Sequence, residues 1–224
     1  MGHVTKSQTV GLLKAAHFWP TVLVVSITFV LGFTQFTFFE SGEIAVAILF
    51  GQLFVGWTND LIDFPRDKAA FRQEKPLVAG SIKESTIKVS IAIALGCAVI
   101  TSLTGPLGWQ GSAIHFLGLL SATAYNLTLK ATLLSVLPYV VSFGALPYAI
   151  SSATEDHPPL WLVLAFVFFA SAFHFFNVLK DLQLDREQGV MGLPQVLGRT
   201  KSIGVGVILA TIGLLDIVLA LIML

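Results

Sequence analysis

The chain has 224 residues, of which 55% are hydrophobic and 12% charged, and its thirteen basic and thirteen acidic side chains balance to a net charge of zero. That composition excludes an ordinary soluble domain and points to a polytopic membrane protein, while the neutral balance leaves no general pull toward nucleic acid. A lone cysteine, Cys97, excludes an internal disulfide framework and a cysteine-based metal centre.

Seven apolar stretches approach bilayer-spanning length: 17–39, 43–62, 87–103, 107–125, 131–152, 160–180 and 202–224. The first is too long for a signal-peptide core and lacks a small-residue cleavage pattern, so it reads as a retained anchor. Gly108, Gln110, Gly111 and Ser112 weaken the start of the fourth. Backbone groups in lipid must be satisfied internally, so the spans are expected to be helices. Their many Gly, Ala and Ser residues suit close helix contacts. The expected fold is an all-α transmembrane bundle of about seven spans, forming one membrane-embedded domain over residues 1–224.

Threading the spans alternately places every Lys and Arg on one face. Lys6 and Lys14 precede the first span. Arg66, Lys68, Arg72, Lys75, Lys83 and Lys88 lie around the second and third, Lys130 between the fourth and fifth, and Lys180, Arg186, Arg199 and Lys201 between the sixth and seventh. The opposite loops carry Glu40, Glu43, Glu155 and Asp156. This asymmetry predicts a cytoplasmic basic face and N-terminus, in a cell membrane.

Two acidic clusters end apolar segments on that face. The first runs from Asn59 through Asp60 and Asp63 to Asp67; the second holds Asn177, Asp181 and Asp185. A shift of 118 positions brings Asn59, Asp63 and Asp67 onto Asn177, Asp181 and Asp185, and Pro76, Val78, Gly80 and Lys83 onto Pro194, Val196, Gly198 and Lys201. The chain therefore reads as two pseudo-repeated halves. Carboxylates beside a bilayer core are costly, which marks both clusters as functional. Their i, i+4, i+8 spacing keeps them along one drifting helix face. Pro65 is expected to disturb the first helix, so that Asp67 is offered from a loop. Hard oxygen ligands suit magnesium, which characteristically uses a few carboxylates plus substrate phosphates. The interspersed cations favour a diphosphate over a bare cation pathway.

These motifs resemble the UbiA superfamily of intramembrane prenyltransferases from His17 to about Leu197. The family's N-D-x-x-D-x-x-x-D motif is matched by Asn59, Asp60, Asp63 and Asp67. Its basic-Pro…Gly element is matched by Lys75, Pro76 and Gly80, with Lys where Arg is more frequent. Tyr125 and Lys130 match a Tyr-x-x-x-x-Lys element, and Asp181 and Asp185 match D-x-x-x-D. The resemblance implies that an isoprenoid diphosphate ionises and its cation alkylates an acceptor, aromatic or lipid-like. Asn59, Asp60, Asp63, Asp67, Asp181 and Asp185 would hold Mg2+, and Asn177 would join them in binding the diphosphate through metal. Lys75, Tyr125 and Lys130 would act on the diphosphate, with Arg66 and Arg186 as further basic candidates beside the motifs. Family members usually have nine spans, so seven imply a short member or a fragment, in which loss of the late helices would leave a wider lipid-side opening or require a partner chain or second copy.

Two rival readings use the same features. A membrane terpene cyclase would ionise the same donor without an acceptor. A transporter or lipid-binding bundle would use the repeat for alternating access, but four spans lie between the clusters, which makes the repeats parallel rather than inverted. His174 reads as an interior hydrogen-bonder, His17 as an interface residue, and Asp216 as an acid with no evident partner.

Overall fold

The computed structural model describes residues 2–154 and 156–223, with side chains from Gln8 onward. Lys6, Glu155 and Leu224, used in the threading above, lie outside these limits as side chains or entirely. Among the described residues the chain is helical, with ten α-helices, two short 3-10 turns and no strand. It resolves into two compact units, residues 1–112 and 113–224.

In the first unit, α1 (Gly2–Ala15) and α2 (Phe18–Gly32) meet at a bend of 64° between Gln8–Ala15 and Phe18–Gly32. The bend is made at His17, whose φ of 51° and ψ of 58° place it in the left-handed region, which His tolerates better than most residues. Trp57 Nε1 donates to the Leu12 carbonyl at 2.9 Å and pins α1 to the next long helix. That helix, α3 (Phe38–Ala69), starts with a reciprocal cap: Thr37 Oγ1 accepts from Glu40 N, and Glu40 Oε2 accepts from Thr37 N. Glu40, placed in an outer loop by the threading, is thus the acid of a capping box. α4 (Glu84–Thr104) packs along α3, as α2 does from the other side.

The second unit is reached through α5 (Gly108–Leu127), whose second turn contains the boundary. α6 (Leu137–Ser151) hydrogen-bonds α5 through Ser142 Oγ to the Gly118 carbonyl. α7 (Leu160–Val178) packs on α6 and on α10 (Arg199–Met223); the short α8 (Leu182–Glu187) and α9 (Leu193–Leu197) connect them.

The 118-residue shift carries over from sequence to helices. It moves α2 onto 136–150, where α6 occupies Leu137–Ser151. It moves α4 onto 202–222, within α10. It moves α3 onto 156–187, which is α7 followed by α8. In each unit the acid-bearing helix packs between its predecessor and its successor.

All seven expected spans coincide with helices, but not all are equal. α3, α4, α7 and α10 are each long and apolar enough to cross a bilayer, and the bent α1–α2 pair makes a fifth. α6, at 15 residues, rises only about 22 Å against a hydrocarbon core of about 30 Å. α5 is diluted by the Gly, Gln and Ser of its first turns. The first stretch, 17–39, is split: α2 stops at Gly32 and α3 begins at Phe38.

Pro65 does not end its helix. α3 runs through it to Ala69, so Asp67 is helical rather than presented from a loop. Proline removes one intrahelical donor and crowds the preceding turn. The turn beyond it is held by Ala70 N donating to the Arg66 carbonyl, and Arg72 N to that of Asp67. α3 is 32 residues long, about 48 Å. Its part from 38 to 58 already rises about 31 Å, a full hydrocarbon thickness. The motif that begins at Asn59 therefore occupies the turns left over.

Candidate active site

In the first unit, Asp60 and Asp67 stand two turns apart on α3 and are both buried, at 3% and 2% exposure. Seven residues is nearly two full turns, so they share a face. Buried carboxylates require partners, and the chain returns to supply them. Lys75 Nζ donates to Asp60 Oδ1 at 2.7 Å, and His17 Nε2 lies 3.4 Å from the same oxygen. Arg66 pairs with Asp63 at 3.1 Å, one turn away on α3. Arg72 lies 3.5 Å from Asp67 Oδ1 and reaches Glu74 at 2.6 Å. That hydrogen bond holds the Glu74 carboxyl below its usual range. Asp67 Oδ1 has no hydrogen-bond donor although it is buried.

The loop after α3 can return because its apolar residues are buried. Leu77 and Ile82 join Ala15 and Ile87 in a core, with Trp57, Leu61 and Phe64 packed against it. The Pro76 carbonyl accepts from Ser81 N and Ile82 N, closing the turn. Gly80 takes φ 70° there, and its counterpart Gly198 takes φ 80°, a conformation that costs glycine nothing. The Lys-Pro…Gly element thus has a physical meaning. Its apolar part anchors the loop, and its lysine meets Asp60.

In the second unit, the corresponding residues are divided. Asn177 lies in the last turn of α7, Asp181 precedes α8, and Asp185 is within α8. The chain tightens at the break, where Leu179 N donates to the Phe176 carbonyl and Asp181 N to that of Val178. Gln195 Nε2 donates to Asp185 Oδ2 at 2.8 Å. Arg186 is exposed. Tyr125, in the last turn of α5, stands edge-on to Tyr139 and to His174. The Tyr139 hydroxyl shares hydrogen bonds with Tyr125 and Asn177. His174 is 1% exposed and pairs through Nε2 with Ser135 Oγ at 3.1 Å. Lys130 sits in the 3-10 turn Leu129–Ala131.

The structure therefore brings Lys75 to Asp60, Arg66 to Asp63, and Tyr125 toward Asn177 through Tyr139. Sequence reasoning missed His17 as a contact of the first cluster, and missed Arg72, Tyr139 and Gln195 as partners of motif residues. The register offered a signal for the last. Gln195 falls on Leu77, so a buried apolar position in one half is an amide in the other.

Apolar spans and a helical repeat with an acidic cluster in each half define the class, an integral membrane helical bundle. The chain belongs to the UbiA prenyltransferase family, whose sequence model matches residues 9–224. Comparison with curated proteins gave no match. Solved structures agree in fold. A UbiA homologue from Archaeoglobus fulgidus bound to GPP and Mg2+ has a TM-score of 0.78 at 16% identity, covering 96% of this chain and 78% of that one. The same homologue bound to DMAPP and Mg2+ gives 0.76 at 17%, covering 95% and 78%. A digeranylgeranylglyceryl phosphate synthase gives 0.70 at 18%, covering 96% and 78%.

Proposed function

We propose that this chain transfers a prenyl group from an isoprenoid diphosphate to an acceptor within the membrane, with magnesium, and that both units act as one domain in that reaction. The observation that carries this reading is the first cluster, where buried carboxylates and returning cations meet at the end of an apolar span. The related archaeal structures holding GPP or DMAPP with Mg2+ support the donor class and the metal.

The residues present fit the metal. Their donors are hard oxygens, and Asp67 Oδ1 is buried without a hydrogen bond. Among the described residues no three His, Cys, Asp or Glu side chains form a cage of their own, which suits a cation completed by phosphate oxygens. Asn59, Asp60, Asp63, Asp67, Asp181 and Asp185 would hold magnesium, and Asn177 would assist. Bound there, the metal would neutralise charge on the departing diphosphate.

The chain's own residues do the rest. Asp60 holds Lys75, whose ammonium is a fixed positive charge for the leaving group. Lys130 and Tyr125 are the second unit's own candidates for stabilising a departing diphosphate. Fixed charges in a water-poor site are worth more than in water. The phenylalanine-rich spans keep the allylic cation from water. The basic face, by the Lys and Arg asymmetry, lies in the cytoplasm.

The test uses the protein in lipid nanodiscs with geranyl diphosphate, with and without phenolic or lipid acceptors. Magnesium-dependent diphosphate release with a prenylated acceptor is the expected result. A cyclised product made without acceptor would reassign the protein as a terpene cyclase. Substrate flux across liposomes without diphosphate release would overturn the enzyme reading.

A further inference from the structure

The outer acid of each cluster is held differently, and the difference singles out a residue to which the motifs assign no role. By the 118-residue register, Asp67 corresponds to Asp185, Arg72 to Val190 and Leu77 to Gln195. In the first unit Arg72 reaches Asp67, and Leu77 is core filling. In the second unit the two tasks are exchanged. Val190 is buried, and Gln195 carries the donor that reaches the acid.

Gln195 is 2% exposed. Its Nε2 meets Asp185 Oδ2 at 2.8 Å, while its Oε1 is buried with no donor. The amide cannot be turned round, because an amide oxygen would then face a carboxylate oxygen. Leaving a buried acceptor unpaired is destabilising, a penalty that a leucine at this position would not incur. A buried unsatisfied group of this kind calls for a specific explanation.

The surroundings fix the amide in place. A Cβ on Gly192 would lie 2.5 Å from the Lys130 carbonyl oxygen and 2.6 Å from Gln195 Oε1, so only glycine lets this segment pass. Leu193 N donates to Ser135 Oγ at 3.0 Å, and Ser135 pairs with His174 on α7. Val190 N donates to the Asp185 carbonyl at 2.8 Å. The stretch 190–195 is thus clamped at both ends to Asp185 and in its middle to the connection that carries Lys130.

We propose that Gln195 is the positioning residue of the second acidic cluster, fixing the Asp185 carboxylate for binding of the magnesium–diphosphate pair. The proposal rests on the prenyltransferase reading above. Partners of metal-ligating side chains typically contribute 10- to 100-fold in metal affinity.

The test is binding of Mn2+ to the full chain in nanodiscs in the presence of geranyl S-thiolodiphosphate, an unreactive donor analogue, read by electron paramagnetic resonance, for the unaltered protein, Gln195→Leu, Gln195→Met and Asp185→Ala. Thermal unfolding without metal is recorded beside it. Gln195→Leu and Gln195→Met are expected to unfold no earlier than the parent, yet to bind Mn2+ about tenfold more weakly. Asp185→Ala is expected to weaken binding at least as much. If Asp185→Ala weakens Mn2+ and neither Gln195 variant does, the positioning role is overturned and the ligand assignment stands. If Asp185→Ala leaves Mn2+ binding unchanged, the reading of the second cluster as a metal site falls, and this inference with it. Should one Gln195 variant fail to fold, the other decides.

Discussion

In residues 1–112 one uninterrupted helix carries Asn59, Asp60, Asp63 and Asp67, and basic groups from α3 itself, the α1–α2 bend and the following loop close on its acids. In residues 113–224 the equivalent stretch is broken between α7 and α8, and the donor on Asp185 Oδ2 is a neutral amide. One repeated pattern thus has two kinds of support. Charge holds the first cluster, since two of its carboxylates are almost fully buried and need cations. In the second, a neutral amide, Gln195, donates to Asp185 Oδ2.

The largest effects should come from changes that treat both halves alike. Asp63→Ala and Asp181→Ala are each expected to lower magnesium-dependent turnover about a thousandfold or more, since each removes charge that stabilises the leaving group. Near-normal rates in either folded variant would break the equivalence of the two clusters. Next in size is a change that should separate them. Lys75→Met strands Asp60 beside His17 alone, so it should cost about 3 kcal/mol of stability along with about a hundredfold in rate. Lys130→Ala should lower the rate with little change in the unfolding temperature. Equal destabilisation by both would erase the distinction. The smallest effect is a deliberate exchange. Arg72→Gln removes the cation beside Asp67, and should tighten Mn2+ binding about fivefold, the scale of one partly screened charge pair. Weaker binding would mean that Arg72 organises Asp67 for metal rather than competing with it.

Much of this was legible in the residues. The apolar stretches located the helices, and the repeated Asn, Asp, Pro and Gly positions foretold that α2–α3–α4 would return as α6–α7/α8–α10. The acids could be named because carboxylates in such a setting have few innocent explanations. The misread points share a cause. Pro65 looked like a helix end because local propensity was weighed without the contacts that carry α3 onward. No local pattern announces the break after Val178. His17 and Arg72 reach their acids through tertiary packing: α1 is tied to Trp57, and the loop is pinned by Leu77 and Ile82. Gln195 was visible only by asking what the other half holds at that position.

The uninterrupted course of α3 has a consequence for the resting protein. Peptide dipoles aligned along a helix leave a partial negative charge at its carboxyl end, and α3 spends its final turns on a run of acids. The backbone field there adds to the side-chain charge instead of opposing it. An emptied cluster is therefore a poor place for anything but cations. Lys68 in the last turn, with Arg72 and Lys75 just beyond it, offsets that negative charge at the helix end.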